Sequence, residues 1–213
     1  MQITKIPTGG YSANCWLLLD EESNAAAVID PDAGTDLILA ALSDAKATLS
    51  MILLTHGHFD HISAVDALRD ATGAPVLIHA KDAPMLTDAA ANASAVFFGE
   101  GQTYRAADGF LKGGDALHLG EKTIAVRHTP GHTPGSVCFV TGDALFTGDT
   151  LFCDSIGRTD LPGGSEKQMR ESLRRLRFMP GDYTVYPGHG EITTLERERV
   201  HNPYFQNTED DTK

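Results

Sequence analysis

Short apolar runs that stop at glycine, proline or a polar residue recur along the whole chain. Runs of four to six residues rich in β-branched and aromatic side chains are typical of strands, whereas apolar residues three or four positions apart indicate a helix. Strands are predicted over 3–6, 14–19, 25–29, 51–54, 76–78, 116–119, 123–127, 136–140, 144–147 and 183–186. Helices are predicted over 35–42, directly after residue 61, from residue 165 and near the end of the chain. The pattern alone predicts a mixed α and β protein.

One of these helices carries a clear start signal. Ser165 followed three residues later by Gln168 is a capping-box pattern, and Met169, Leu173 and Leu176 then fall on one face. The same segment holds five basic residues, which we interpret as a solvated helix face: Lys167, Arg170, Arg174, Arg175 and Arg177.

The densest chemistry lies in the run from His56 to His61, with the sequence HGHFDH. It places three imidazoles and a carboxylate within six residues, directly after the predicted strand 51–54. Packing in a protein core does not explain so many polar side chains in one run, because each buried polar atom would need a hydrogen-bond partner. Imidazole and carboxylate are the ligand types that suit zinc, iron or manganese. The run therefore predicts a metal site.

Three later positions add donors of the same kind. His132, Asp149 and His189 each follow a predicted strand and lie in a loop bounded by glycine or proline. We expect these loops to supply ligands to the same site. The remaining histidines considered individually are interpreted as packed or hydrogen-bonded residues: His79, His118, His128 and His201.

With these residues in order, the sequence resembles the metallo-β-lactamase superfamily, and the resemblance covers nearly the whole chain. It implies an α+β fold, an αββα sandwich of two mixed sheets with helices on the outer faces. It also implies seven metal ligands, with Asp149 bridging two ions. One ion would be held by His56, His58, His132 and Asp149, and the other by Asp60, His61, Asp149 and His189.

Within that superfamily the chain is similar to small glyoxalase II-like thioesterases, through Asn14 to Leu18 and the segments 148–152 and 156–164. The resemblance implies a cofactor of two divalent metal ions, with zinc expected and iron or manganese compatible. It implies hydrolysis of a small acyl thioester such as S-D-lactoylglutathione. In the expected mechanism a hydroxide that bridges the metals attacks the carbonyl carbon, and Asp60 orients it.

Alternatives remain open at this point. Persulfide dioxygenases of the same superfamily have a similar Gly-Arg-Thr-Asp stretch and use one iron, and a lactone offers the same electrophile as a thioester. A structural or storage metal protein is the non-enzymatic alternative. A shared Asp149 argues against it, because structural zinc is usually a closed set of four ligands.

The residues that would contact the thiol half of the substrate differ from those of the glutathione-specific family members. Those members have a basic residue and then a tyrosine where this chain has Arg158 and then Asp160, and a second tyrosine where it has Glu191. Arg158 either binds a substrate carboxylate or pairs with Asp160. Only 24 residues follow His189, so no separate glutathione-binding helical domain is expected. The segment 84–110 carries the aromatic residues Phe97, Phe98, Tyr104 and Phe110. Either they form a lid that sets acyl preference, or a few of them pack in the core.

Composition adds limits to this picture. The 213 residues, 41% of them hydrophobic, predict one domain over 1–213. The net charge of −12 argues against a nucleic-acid-binding protein, since such binding rests on clustered lysine and arginine. No apolar run reaches membrane length, and three cysteines without paired spacing suit a reducing compartment. We therefore expect a cytoplasmic enzyme whose partner is a small thioester, with no membrane partner and with the oligomeric state left open.

Overall fold

Two six-stranded mixed sheets form the centre of the computed structural model, which describes residues 1–11 and 13–206. The first sheet has its strands in chain order: β1 (Gln2–Ile6), β2 (Cys15–Asp20), β3 (Ala25–Ile29), β4 (Thr48–Leu53), β5 (Val76–His79) and β6 (Gly109–Leu111). The second sheet is β7 (Ala116–Leu119), β8 (Lys122–His128), β9 (Val137–Thr141), β10 (Ala144–Gly148), β11 (Thr184–Pro187) and β12 (Thr193–Thr194). Its spatial order also follows the chain, from β7 at one edge to β12 at the other.

Eight helices accompany the sheets in the described part of the chain. They are α1 (Thr35–Asp44), α2 (Phe59–Ile62), α3 (Val65–Thr72), α4 (Ala83–Thr87), α5 (Ser94–Phe98), α6 (Glu166–Arg177), α7 (Leu195–His201) and α8 (Pro203–Gln206). The start predicted for α6 is confirmed, because the Ser165 side chain caps the helix by accepting a hydrogen bond from the backbone N–H of Gln168.

Alternating side chains divide the apolar residues into three layers. In β2, Trp16 and Leu18 point into the core between the two sheets, while Leu17 and Leu19 point into the core beneath α1 and α3. The outer face of the second sheet is covered in the same way by α6, whose Met169 is buried there. The layers therefore run helix, sheet, sheet, helix, and the predicted αββα sandwich is confirmed.

Strand direction places the loops that carry the candidate ligands at one edge. β3, β4 and β5 run parallel, so their carboxyl ends meet. β8 and β10 both run antiparallel to β9, and β10 runs parallel to β11, so these three strands also end together. Each of the four predicted ligand loops follows one of these strand ends.

The sequence pattern missed several short elements. β6 and β12 have three and two residues, too few to show a period, and α4 and α5 occupy the segment 84–110. The helix predicted after residue 61 is two helices, α2 and α3, of which α2 begins at Phe59 inside the HGHFDH run. Every helix within residues 1–11 and 13–206 is too short or too polar to span a lipid bilayer.

Candidate metal centre

The first cluster of donors consists of His56, His58 and His132, all buried. His58 Nδ1 lies 2.8 Å from His132 Nε2. The His56 ring packs edge-on against both, with ring centroids 4.9 Å from His58 and 4.7 Å from His132. One donor atom from each residue falls within 4.8 Å of the others, a spacing at which one ion contacts all three.

A second cluster lies beside the first and is formed by Asp60, His61 and His189. His61 Nε2 lies 3.2 Å from His189 Nε2, and His189 Nε2 lies 3.3 Å from Asp60 Oδ2. His61 is fully buried, whereas the other two are half-buried and open toward a pocket. The loops after β4 and β11 therefore meet across the sandwich.

Asp149 stands between the two clusters. Its Oδ1 lies 3.4 Å from His61 Nε2, and its Oδ2 lies 3.4 Å from His132 Nε2. Oδ1 thus faces the second cluster, and Oδ2 faces the first cluster while also lying 3.7 Å from His189 Nε2 of the second. This is the position that a bridging carboxylate would occupy.

The residues present fit a pair of divalent cations. Within the described chain, His56 Nε2 and Asp149 Oδ1 are buried and make no hydrogen bond, which is unfavourable unless another group binds them. Imidazole nitrogens that face one another at about 3 Å need a shared cation or proton. A mixed set of imidazole and carboxylate donors is the chemistry that zinc, iron and manganese accept.

Electrostatics favour the ligand-competent protonation states of His56, His58 and Asp149. For His61 and His189 burial lowers the pKa, but the neighbouring carboxylates Asp60 and Asp149 outweigh it and raise the pKa above its usual value. Burial and the repulsion of neighbouring histidines lower the pKa of His58 to about 3, and burial also holds the pKa of His56 well below its usual value. Burial opposes ionisation of Asp149, but His61 and His132 outweigh it and hold that pKa well below its usual range. Neutral imidazole and ionised carboxylate are the forms that bind a metal.

Asp30, which sequence reasoning missed, fixes the orientation of two candidate ligands. It is buried directly after β3, and its Oδ2 lies 2.6 Å from Thr55 Oγ1 and 3.0 Å from His61 Nδ1. Thr55 donates to Asp30, so the Thr55 oxygen accepts from His56 Nδ1, 3.0 Å away. Both Nδ1 atoms therefore carry the proton, and both Nε2 lone pairs face the metal centre. The sequence signal that could have identified Asp30 is its position directly after β3, a buried strand beside β4.

His132 has its own orienting partner. Its Nδ1 donates to the backbone oxygen of Arg158 at 2.7 Å, which leaves Nε2 free to bind a metal. The His132 loop is held from behind by Asp82, buried just before α4, which accepts hydrogen bonds from Thr133 Oγ1 at 2.6 Å and from Gly135 N at 2.6 Å. Neither role was predicted from the sequence.

Glycine lets the last ligand loop approach the centre. A Cβ on Gly188 would collide with Asp149 Oδ1 and lie 2.9 Å from both the Gly148 carbonyl carbon and His61 Cε1. Any side chain there would displace a candidate ligand. The proline and glycine before His189 thus end β11 and also leave the space that Asp149 occupies.

A pocket of about 570 Å³ opens over the two clusters. Its wall is aromatic: Phe98 packs against Phe59 with ring centroids 5.1 Å apart, and Tyr11 packs against Phe59 at 5.0 Å. Phe97 and Phe98 are 52% and 49% exposed and do not pack in the core, whereas Tyr104 of the same segment packs against it. Phe97 and Phe98 line the pocket instead.

Arg158 also lines this pocket, but its guanidinium is already paired. Its Nε and Nη2 donate to the two carboxylate oxygens of Asp160 at 2.6 and 2.7 Å. The remaining histidines considered above lie outside both clusters; His79 and His128 stack on each other at 4.3 Å between centroids. Cys153 is half-buried and lies 3.4 Å from the guanidinium of Arg197, away from the donors.

Two adjoining His/Asp clusters at the common edge of two packed sheets define a metal-binding protein whose candidate ligands come from both sheets. The chain belongs to the metallo-β-lactamase superfamily, whose family model matches residues 8–189. This places the chain in the metallo-hydrolase superfamily, to which its named relatives also belong.

Solved structures and relatives agree with this assignment. The chain is similar to the BLEG-1 B3 metallo-β-lactamase, with 38% identity, a TM-score of 0.90, and coverage of 96% of this chain and 99% of that one. It is similar to TTHA1623, solved in a di-iron-bound form, with 36% identity, a TM-score of 0.82, and coverage of 94% and 100%. It is also 32% identical to the hydroxyacylglutathione hydrolase GloC of Haemophilus influenzae over 96% of this chain and 98% of that protein. The di-iron neighbour leaves the identity of the metal open.

Proposed function

We propose that this chain hydrolyses small acyl thioesters, with S-D-lactoylglutathione as the representative substrate. The observation that carries the proposal is the position of Asp149, with one oxygen toward each donor cluster on the floor of a pocket with an aromatic wall. The name of GloC supports the choice of thioester among the bonds that a metallo-hydrolase could cleave.

Seven side chains would hold the two ions. The first ion would contact His56, His58 and His132, the second Asp60, His61 and His189, with Asp149 shared between them. Bound divalent ions lower the pKa of water from about 15.7 to about 7 and polarise a carbonyl oxygen. No serine or cysteine nucleophile is then needed.

Asp60 is the group that orients the attacking water. Burial works against its ionisation, but His61 and a hydrogen bond from His189 outweigh it, so the pKa of Asp60 lies below its usual value. It therefore stays an acceptor at neutral pH, and it lies on the lining of the pocket. From there Asp60 accepts a hydrogen bond from the water and directs a lone pair toward the carbonyl carbon.

The pocket walls suit a short acyl group and a thiol leaving group. Phe59, Phe98 and Tyr11 shield the reacting carbon from bulk water and contact its apolar substituents. A thiolate has a pKa near 8.5 and departs with little help from an acid. Arg158 at the pocket would contact a substrate carboxylate only after leaving Asp160, an exposed partner that a substrate anion can replace.

Hydrolysis of a β-lactam is a second candidate, favoured by the likeness to the BLEG-1 B3 metallo-β-lactamase. A lactam nitrogen leaves less readily than a thiolate and needs a proton. Measuring hydrolysis of a thioester and of a β-lactam with one preparation of the protein distinguishes the two candidate functions.

The test is hydrolysis of S-D-lactoylglutathione by protein of known metal content, loaded with zinc or with iron. Parallel assays follow oxygen uptake on glutathione persulfide and cleavage of a chromogenic β-lactam and of a lactone. We expect thioester cleavage that a chelator abolishes while the circular dichroism spectrum keeps its folded shape. Asp149→Ala should remove turnover and reduce metal content, and His118→Ala, an exposed histidine outside both clusters, is the matched control. Oxygen uptake, β-lactam turnover or lactone turnover without thioester cleavage would overturn the proposal.

The aromatic wall gives a test of selectivity. Phe98→Ala removes a ring that contacts both Phe59 and Tyr11, and we expect it to change the ranking of acyl thioesters by kcat/KM at unchanged metal content. Phe178→Ala removes an exposed ring distant from this pocket and is the control. An unaltered ranking in Phe98→Ala would show that the wall does not select the acyl group.

A further inference from the structure

A second cavity, of about 690 Å³, lies outside the metal pocket and shares no lining residue with it. It is formed where β8, the turn after β5, the loop after β6 and the carboxyl end of α6 come together, and we call it the basic groove. The groove is lined by four cations, two histidines and an exposed aromatic ring: Lys81, Lys112, Arg127, Arg175, His79, His128 and Phe178.

The four cations of the groove have no anionic partner among the described residues. Lys81, Lys112, Arg127 and Arg175 form no ion pair, whereas many exposed cations elsewhere do. The chain has 29 acidic and 17 basic residues, so carboxylates are plentiful on its surface. Four uncompensated cations around one cavity therefore concentrate positive potential in a protein of net charge −12.

Nearby carboxylates are engaged elsewhere. Asp82 follows Lys81 directly, but it is buried and accepts hydrogen bonds from Thr133 and Gly135 in the His132 loop. Asp115 accepts the backbone N–H of Lys112 at 2.9 Å and acts electrostatically on His79, but it forms no ion pair with any of the four cations. The four cations of the basic groove are therefore available to bind an anionic ligand.

The wall of the groove supplies directional donors and flat surfaces. His79 and His128 stack with an interplanar angle of 6°. Because His79 Nδ1 accepts from the backbone N–H of Lys81, the proton of a neutral His79 lies on Nε2, which is a donor. Phe178 is 70% exposed at the same cavity. The Arg177 guanidinium lies over its ring, 5.8 Å from the centroid, and the opposite face offers a platform for a planar group.

We propose that the basic groove binds a small organic phosphate that carries a planar ring, of the nucleoside diphosphate class. The phosphates lie among Lys81, Lys112, Arg127 and Arg175, since guanidinium groups match phosphate bidentately and ammonium groups contact it as point charges. The ring stacks on Phe178, an interaction that tolerates any base. This site is independent of the proposed hydrolysis and would persist if that proposal failed.

The test is isothermal titration calorimetry on the metal-loaded protein with ADP, pyrophosphate and adenosine. We expect ADP to bind and adenosine to give no detectable heat. Arg127→Glu and Lys112→Glu should each weaken ADP binding at least about tenfold, as expected when a charge-assisted hydrogen bond is removed. Lys5→Glu, with the same change of net charge on the exposed strand β1, should change it by less than about twofold. Phe178→Ala should weaken ADP binding and leave pyrophosphate binding unchanged.

Binding at the metal centre gives a different pattern. ADP that chelates the metals would be lost in Asp149→Ala and would survive Arg127→Glu and Lys112→Glu, and that result would overturn the proposal. Absence of ADP binding, or equal weakening by Lys5→Glu, would overturn it as well. Equal weakening of ADP and pyrophosphate in Phe178→Ala would overturn the assignment of the ring to that platform.

Discussion

Asp30→Asn is the change that most directly tests how the ligands are oriented. Asp30 accepts three hydrogen bonds, from Thr55 N at 2.8 Å, from Thr55 Oγ1 at 2.6 Å and from His61 Nδ1 at 3.0 Å. All three partners are donors toward this carboxylate. An asparagine side chain has one acceptor oxygen and one donor group, so at least one N–H or O–H must then face an amide NH₂.

The magnitude follows from the hydrogen bond that the substitution removes. A hydrogen bond to a charged group contributes about 1.5–3 kcal/mol, and an unsatisfied buried donor costs a similar amount. We expect the lost hydrogen bond to leave the rings of His61 and His56 less well oriented for metal binding. Metal affinity should then fall about 10–100-fold, the range typical of mutating the groups that hold ligating histidines in place. Competition with a chromogenic chelator measures this affinity directly, and kcat on a thioester should fall with it.

Asp20→Asn is the matched control for Asp30→Asn. Asp20 is also buried, at the end of β2, but it accepts from Ser23 and Glu121 and lies outside both clusters. It should change stability without changing metal affinity. Unaltered affinity in Asp30→Asn, or an equal loss in Asp20→Asn, would refute the claim that Asp30 orients the ligands.

Two further predictions concern the surroundings of the centre. Burial raises the pKa of Asp82 to about 6 from an ordinary 3.8, so its contribution to stability is present at low pH and is lost as pH rises through about 6. The free energy of unfolding of the wild type, minus that of Asp82→Asn, should therefore fall by about 2 kcal/mol between about pH 4.5 and about pH 8 in matched denaturant titrations, and a flat difference would contradict this. Gly188→Ala should lower the metal content and cost about 1–3 kcal/mol of stability, because its methyl group meets Asp149; full metal occupancy by elemental analysis would show that the loop yields.

The sequence predicted most of the strands because a strand buried on both faces reads as a continuous apolar run, whereas the layers were implied by the family resemblance. Trp16 and Leu18 face one core while Leu17 and Leu19 face another, so β2 reads as a fully apolar strand, and its neighbours could be placed in the same way. The predicted edges differ from the observed ones by up to three residues, as at β4, which begins at Thr48 and was predicted from residue 51. β12 consists of Thr193 and Thr194 alone and is formed by pairing with β11, an interaction that no local pattern records.

The candidate site was likewise predicted only in part from the sequence. Its seven predicted donors could be named because histidine and aspartate after glycine-bounded strand ends are conspicuous, and the structure brings all seven together. The groups that orient them could not, since Asp30, Thr55 and Asp82 are ordinary polar residues until folding places them against His61, His56 and the His132 loop. Of the two roles considered for Arg158, the structure shows the pairing with Asp160, and contact with a substrate carboxylate stays a prediction.

The division of the donors between the two sheets has a consequence for how the protein matures. The chain is made from its amino end, so the run from His56 to His61 emerges long before His189, and the first sheet alone can offer only an incomplete set of ligands. On the proposed ligand assignment, the first metal position would be complete once β10 has placed Asp149, and the second only after β11 has been synthesised and has paired with β10. Loading of both positions would then be a late event in biogenesis, and tightly held metal would report that the two sheets have closed on each other.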